Sequence, residues 1–327
     1  MSDSLYNKVV RIISQSIKFD WLEPYKNKGN SSSIGSGFFI DNKGTILTCS
    51  HLLINSRKVY VEVPFEGKRK YEAEIIMVCP KFDIAIIRMK TYKNKGYLNL
   101  ISTNDFYNID SGTNVLAVGF PLGQNNLKLS QGIISGREDG LIQTTAPLNK
   151  GNSGGPLIMN NIVIGINASK IGSASNIGYA VPIPHFHLIK TEKGNLINRP
   201  ILGFHYFKSN KEYMDLNNVK CKGGVIINYV NEKSPAWNSG LRVGNVLCSL
   251  AGHKIDNYGL IDRRWFNEKM GINDLINTFK NNSTIDISFF NKNKVYNRKL
   301  KFNMYDYKIS KKYPLYDDSD NKYEIFA

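Results

Sequence analysis

In the stretch LNKGNSGGPLI one serine, Ser153, is fenced by Gly151, Asn152, Gly154, Gly155 and Pro156. A serine hydroxyl attacks a carbonyl only when a base takes its proton, and the oxyanion that forms must meet donors already in place. Glycines beside such a serine keep side chains away from the backbone N–H groups that would be those donors, and they tolerate the backbone angles a tight turn needs. The chain has five histidines from which to draw a base: His51, His185, His187, His205 and His253. His51 closes the apolar run TILTCSHLL, where a side chain can emerge at a strand end, whereas His185 and His187 fall in a helical stretch and the other two lie far downstream. The third requirement is a carboxylate that fixes the imidazole tautomer. Asp83, in PKFDIAIIRM, directly precedes a very apolar strand, where burying an unpaired carboxylate is costly, so a partner is expected for it. Taken singly, each residue has a plainer explanation as a glycine turn, a surface histidine or a turn aspartate. Taken in the order His51, Asp83, Ser153, each beside a strand, they point to acyl transfer through an activated serine.

The elements that would position these groups are short. From Ser33 to Ile183 the segments SGFFID, TILTCS, KVYVEV, AEIIMV, DIAIIRM, NVLAVGF, LSQGIIS, LIQTT, PLIMN, IVIGINAS and YAVPI are each bounded by Gly, Asn, Asp or Pro and each predicts a strand. That number of strands predicts two packed antiparallel barrels or sandwiches. HFHLIKTEKG predicts a short helix leading out, and Arg199-Pro200 marks a boundary. Beyond it GGVIINYV and VLCSLAG predict strands, SPAWNSGL a short helix opened by Ser234 and Pro235, NDLINTFK a helix capped by Asn273, and TIDISFF with YNRKLKF a closing hairpin. The expected division is an N-terminal segment (1–30), a first domain (31–190), a smaller mixed module (198–305) and an extended tail (306–327).

Taken in order, TCSHLL, DIAIIRM, IQTTAPLNKGNSGGPLI and NIGYAVPI resemble the chymotrypsin-like serine proteases and, within them, the HtrA/Deg group, over roughly Ser33 to Phe302. The resemblance implies a mainly β fold of two six-stranded antiparallel barrels followed by a PDZ-like α+β domain. It implies Ser153 as nucleophile, His51 as general base and acid, Asp83 as its orienting partner, and an oxyanion hole at Gly151, Asn152 and Ser153. In that hole Gly151 and Ser153 would be the donors and Asn152 would shape the turn. It also implies that the strand from Asn176 to Ala180 pairs with substrate, that Pro147, Leu148, Ile177, Gly178 and Tyr179 bind substrate, and that Arg137 orders the site from the loop after LSQGIIS. No Asp or Glu stands in the pocket stretch, so small or medium aliphatic residues are expected before the cut. ILGFHYF takes the place of a PDZ carboxylate-binding loop, with Leu202, Gly203 and Phe204 as peptide-binding residues, and NYGLIDRRWFNEKMGINDLI is closer in style to the plant Deg proteases.

The expected activity is thus an ATP-independent serine endopeptidase acting on unfolded or extended protein segments, without metal or organic cofactor. A peptide-binding scaffold or holdase of low turnover is the alternative. Expected partners are protein or peptide substrates, a C-terminal peptide on the PDZ-like module, and further copies of the chain, with Val9, Val10, Ile12, Ile13, Phe19 and Trp21 offering apolar surface for a trimer or for packing on the chain's own barrel. Composition narrows the rest. At 327 residues and 42% hydrophobic content each domain can bury a core. The net charge of +16 is spread along the chain without a recognition motif, so a solvated basic surface is expected rather than a nucleic-acid site. No apolar run approaches the roughly 20 residues of a membrane span. Cys49, Cys79, Cys221 and Cys248 lack metal-ligand spacing, which predicts free thiols. With no signal peptide in MSDSLYNKVVRIISQ, a cytoplasmic location is expected.

Overall fold

In the computed structural model, which describes residues 5–17, 30–90, 92–168 and 177–304, six strands close a first barrel. They are β1 (Val9–Ile17), β2 (Asn30–Phe39), β3 (Thr45–Thr48), β4 (Ser56–Glu62), β5 (Lys70–Cys79) and β6 (Ile84–Arg88), and the ring runs β1-β2-β3-β6-β5-β4. All its pairings are antiparallel, and Val10, Ile12, Phe39, Ile46, Val59, Val61, Ala85 and Ile87 fill its interior. The barrel therefore starts at Val9, inside the segment expected to precede the domain. Val9, Val10, Ile12 and Ile13 are buried in it, which removes them as a surface for other copies. Phe19 and Trp21 lie outside the described residues.

A second set comprises β7 (Asn99–Leu100), β8 (Asn114–Gly119), β9 (Lys128–Glu138), β10 (Leu141–Thr144), β11 (Pro156–Met159), β12 (Ile162–Ala168) and β13 (Gly178–Pro182). Here β11-β8-β9-β10-β13-β12 closes on itself through antiparallel pairing of β12 with β11, so this too is a six-stranded barrel, and β7 is added in parallel along β12. A four-residue helix, α1 (Thr103–Phe106), precedes β8, and α2 (Ile183–Ile189) leaves the barrel where a helix was expected, carrying His185 and His187. Closure matters for the site: a barrel has no free edges, so the loops at its rim are held at both ends.

The chain divides between Ile197 and Asn198. The second unit has α3 (Lys211–Leu216), α4 (Pro235–Asn238) and α5 (Ile272–Ile276) around a sheet of β14 (Phe204–Phe207), β15 (Val225–Val230), β16 (Val246–Leu250), β17 (His253–Lys254), β20 (Thr284–Asn291) and β21 (Lys294–Lys301), ordered β14-β15-β16-β20-β21 with β17 on β16. A separate hairpin joins β18 (Leu260–Trp265) to β19 (Glu268–Gly271). Helix α4 starts at the expected Ser234 cap, whose side chain accepts from the Trp237 N–H, whereas α5 is capped by Gly271 and not by Asn273. The edge strand β21 is rich in lysine and arginine and mostly exposed, and such charge also discourages edge-to-edge pairing; the 306–327 tail lies outside the described residues. No helix among the described residues is long and apolar enough to cross a membrane.

One expectation about cysteines fails. Cys221 and Cys248 form a disulfide with their Cα atoms 5.9 Å apart, and beside it Met214, Val246 and Phe290 form a small core. The partners are 27 residues apart, a spacing that carries no sequence signal, and only β16 brings them together. Cys49 and Cys79 are buried and lie outside any disulfide.

Candidate active site

Asp83 ends a single 3-10 turn, Pro80–Phe82, with φ 54° and ψ 41°. An aspartate tolerates this left-handed conformation better than most residues, and here it stands the carboxylate up at the mouth of β6. Four contacts hold it. Ser50 Oγ donates to Oδ1 at 2.9 Å, the His51 N–H to Oδ1 at 2.9 Å, His51 Nδ1 meets Oδ2 at 2.7 Å, and the Ser50 N–H reaches the Asp83 carbonyl at 3.3 Å. Burial alone would push this carboxyl up, but the hydrogen bonds and charge of His51 and the Ser50 hydroxyl outweigh it, and Asp83 is held below the ordinary carboxylate value. An ionised carboxylate only accepts, so Nδ1 carries a proton toward Asp83, which in a neutral ring makes Nε2 the acceptor.

The turn bearing Ser153 approaches from the second barrel. The Ser36 N–H donates to the Ser153 carbonyl at 2.8 Å, and the Gly154 N–H to the Asn167 carbonyl at 2.8 Å. Gly154, at φ 85°, is packed so closely on the first barrel that a Cβ there would stand 2.1 Å from the Ser36 carbonyl, 2.3 Å from Thr48 Oγ1 and 3.1 Å from Cys49 N. Cys49 is two residues before His51. Glycine is therefore required at position 154, and its close approach places the Ser153 turn against the segment that carries the imidazole. Ser153 itself is buried.

Within the turn the amides divide by use. The Asn152 N–H bonds the Asn149 carbonyl at 3.0 Å, which closes the turn and leaves that N–H engaged within the chain. Gly151, at φ 99°, has its carbonyl held by Ser36 Oγ at 2.7 Å, while none of the described residues accepts from its N–H. Ser36 also accepts from the Phe120 N–H at 3.0 Å and is fully buried. This residue escaped the sequence reading. Its one signal was a serine between Gly35 and Gly37 inside a strand, a pattern that does not say what the hydroxyl would reach.

The remaining candidates scatter. Leu148 is buried and lies where a Cβ on Gly178 would be 2.8 Å from its Cδ1, so these two meet; Pro147 is exposed. Tyr179 and Ala180 pair with β10 on one side and β12 on the other, which leaves no free edge there for a substrate strand. Ile177 and Gly178 precede that doubly paired stretch, Gly178 pairing with β10 alone among the described residues, and Asn176 lies outside them. Arg137 sits within β9, opposite Ile142, and not on a loop. Leu202, Gly203 and Phe204 belong to the second unit, where the Leu202 carbonyl accepts from Ala236 and the Gly203 carbonyl from Asn231 at 2.7 Å.

Cys49, His51 and Asp83 bring three possible metal-ligand atoms within 4.8 Å. They are already engaged with each other and with the Asn167 carbonyl, which accepts from Cys49 Sγ at 3.4 Å. Burial, then the Asp83 charge, pushes the Cys49 thiol well up, so it stays protonated and is neither a ready ligand nor a rival nucleophile.

Residues 35–166 match the trypsin-like peptidase domain. Protease Do-like 13 of Arabidopsis thaliana is 28% identical over the whole chain and 68% of its own length, and a DegP-like periplasmic serine endoprotease of Pseudomonas putida is 30% identical over 69% of the chain. The chain spans only about half of the latter, at 48%. Among solved structures, the HtrA-type protease AlgW with a tripeptide superposes with a TM-score of 0.69 at 22% identity, covering 91% of this chain and 94% of that one. The cytoplasmic expectation is corrected by the same relatives: several bacterial ones are named as periplasmic and an Arabidopsis one as mitochondrial, which points to a periplasmic or organellar location. A disulfide between Cys221 and Cys248 fits an oxidising compartment better than a reducing one.

Proposed function

We propose, from the likeness of the trypsin-like peptidase domain to the HtrA/Deg serine proteases, an endopeptidase in which Ser153 attacks the peptide carbonyl, His51 moves the proton and Asp83 holds the imidazole. His51 Nε2 takes the Ser153 Oγ proton as the new C–O bond forms. The oxyanion is met by the N–H groups of Gly151 and Ser153. His51 then gives the proton to the leaving amine, and in the second half it activates the water that releases the acyl group. Asp83 remains ionised throughout and stabilises the imidazolium. The observation that carries this reading is the 2.7 Å contact of His51 Nδ1 with Asp83 Oδ2, together with the packing of Gly154, next to Ser153, onto Cys49, two residues before His51.

Substrates in this proposal are extended segments of unfolded or partly folded proteins, in keeping with the tripeptide in the AlgW structure. The packing of Leu148 toward Gly178, with no carboxylate among Pro147, Leu148, Ile177, Gly178 and Tyr179, supports small or medium aliphatic residues before the cut. The second unit is proposed as a PDZ-like peptide module. In support, the carbonyls of Leu202 and Gly203 turn inward, none of the described residues accepts from the Gly203 N–H, and β14 is an edge strand. The test is casein degradation by the parent and by Ser153→Ala. Loss of turnover in the variant is expected, and equal slow degradation by both would exclude Ser153.

A further inference from the structure

Two charges that are not part of the triad are buried together in the first barrel. Arg11, on β1, places Nη1 2.8 Å from Glu62 Oε2 on β4, with the side chains only 11% and 6% exposed. Such a pair gains little over an apolar one of equal volume, so its second contact matters more. Arg11 Nη2 donates to the Gly123 carbonyl at 3.0 Å, 112 residues away. Gly123 closes the turn Pro121–Gly123, in which Leu122 adopts the left-handed conformation at φ 55°. From that turn the Leu122 N–H donates to the Lys150 carbonyl.

The Lys150 carbonyl and the Gly151 N–H belong to one peptide group. A trans peptide is planar and its C=O and N–H point opposite ways, so a bond that holds the Lys150 oxygen toward Leu122 aims the Gly151 N–H to the other side. Packing reinforces this, since a Cβ on Gly151 would lie 2.2 Å from the Phe120 carbonyl and 3.2 Å from Leu122 N. We propose that Arg11, locked by Glu62, is a positioning residue that fixes the 121–123 turn and thereby the direction of the Gly151 oxyanion donor. It touches no substrate. The inference rests on the protease reading above and assigns part of its rate to a buried ion pair on the N-terminal strand.

The test uses the full chain. Arg11→Met/Glu62→Leu removes both charges at once, so no unpaired charge is left to unfold the barrel, but it also removes the donor to Gly123. Arg11→Lys, which keeps a charge opposite Glu62, provides the milder perturbation should the double variant fold poorly. Active sites are counted by fluorophosphonate end-point titration, turnover is read on fluorescein-casein, and oxyanion-hole quality is read from the affinity of a tripeptidyl boronic acid ending in borovaline. For the double variant kcat per titrated site is expected to fall about 10- to 100-fold, as for a misaligned donor, with KM within about twofold and boronate affinity reduced in step. Lysine, a point charge that cannot hold both acceptors, is expected to fall between. A merely structural pair would lower melting temperature and the number of active sites and leave kcat per site and boronate affinity at the parent values; that result would overturn the assignment. A parent chain that neither hydrolyses casein nor labels at Ser153 overturns the protease reading itself, and so is told apart from failure of the Arg11 assignment.

Discussion

The Ser50 hydroxyl donates to Asp83 Oδ1 at 2.9 Å from the position directly before His51, whose ring holds the other carboxylate oxygen at 2.7 Å. One short 3-10 segment, Ser50–Leu53, thus supplies the base and also part of the cradle for the base's partner. Ser50→Ala removes one donor to a charged acceptor, worth roughly 1.5–3 kcal/mol in the general case. Activity is expected to fall by about tenfold, with Ser50→Thr retaining most of it. Steady-state turnover of fluorescein-casein at equal concentrations of titrated sites checks this.

Asp83 also makes stability depend on acid. Its folded pKa lies below the ordinary carboxylate value, so unfolding takes up protons as pH falls and the stabilisation has a definite sign. It is fully present above the unfolded value of about 3.9 and is lost as pH falls through the lower folded value. Calorimetry from about pH 2 to 6 in a Ser153→Ala background, which prevents self-digestion, is expected to show a steeper acid loss with Asp83 than with Asp83→Asn. Parallel profiles would remove Asp83 from the set of groups that couple folding to protons.

At position 154 the two barrels leave no room for a side chain. Gly154→Ala would put a Cβ 2.1 Å from the Ser36 carbonyl at a φ of 85° that alanine disfavours. A loss of about 1–3 kcal/mol is expected from the backbone conformation alone, with the clash adding to it and activity falling further because the Ser153 turn must retreat. Urea unfolding beside casein turnover measures both. A variant with parent stability and turnover would mean that the turn is not seated as described.

Much of the site was legible because its chemistry is local. TCSHLL, DIAIIRM and GNSGGPL each put a reactive residue at a strand end, and strand alternation around them predicts the barrels in which His51 and Asp83 do meet. What was not legible depends on long loops closing. Arg11 meets Glu62 51 positions away and Gly123 112 positions away, and Ser36 reaches Gly151 across 115. Register was hidden too: Arg137 reads as a loop residue because LSQGIIS is apolar and ends there, yet β9 runs on to Glu138. The apolar residues of Val9–Ile17 leave contact with other copies and packing on the chain's own barrel both open in the sequence, because the partners β2 and β4 are specified only by closure of the ring.

The Cys221–Cys248 bridge gives a prediction independent of catalysis. By chain-entropy arguments a loop of this size stabilises by about 3 kcal/mol, so Cys221→Ser/Cys248→Ser is expected to lower the urea midpoint of the second unit and leave active-site titration at the parent value. Thiol counting on the denatured parent, with and without reductant, checks the pairing: two free thiols before reduction and four after are expected from the pairing of Cys221 with Cys248 and from Cys49 and Cys79, which lie outside any disulfide.

The most direct measurement is the site and rate of fluorophosphonate labelling, read by intact mass and peptide mapping. The account predicts a single adduct, on Ser153, formed rapidly in the parent and about a thousand- to ten-thousand-fold more slowly in His51→Ala and Asp83→Asn. An adduct on any other residue, or a His51→Ala variant that labels as fast as the parent, would contradict it.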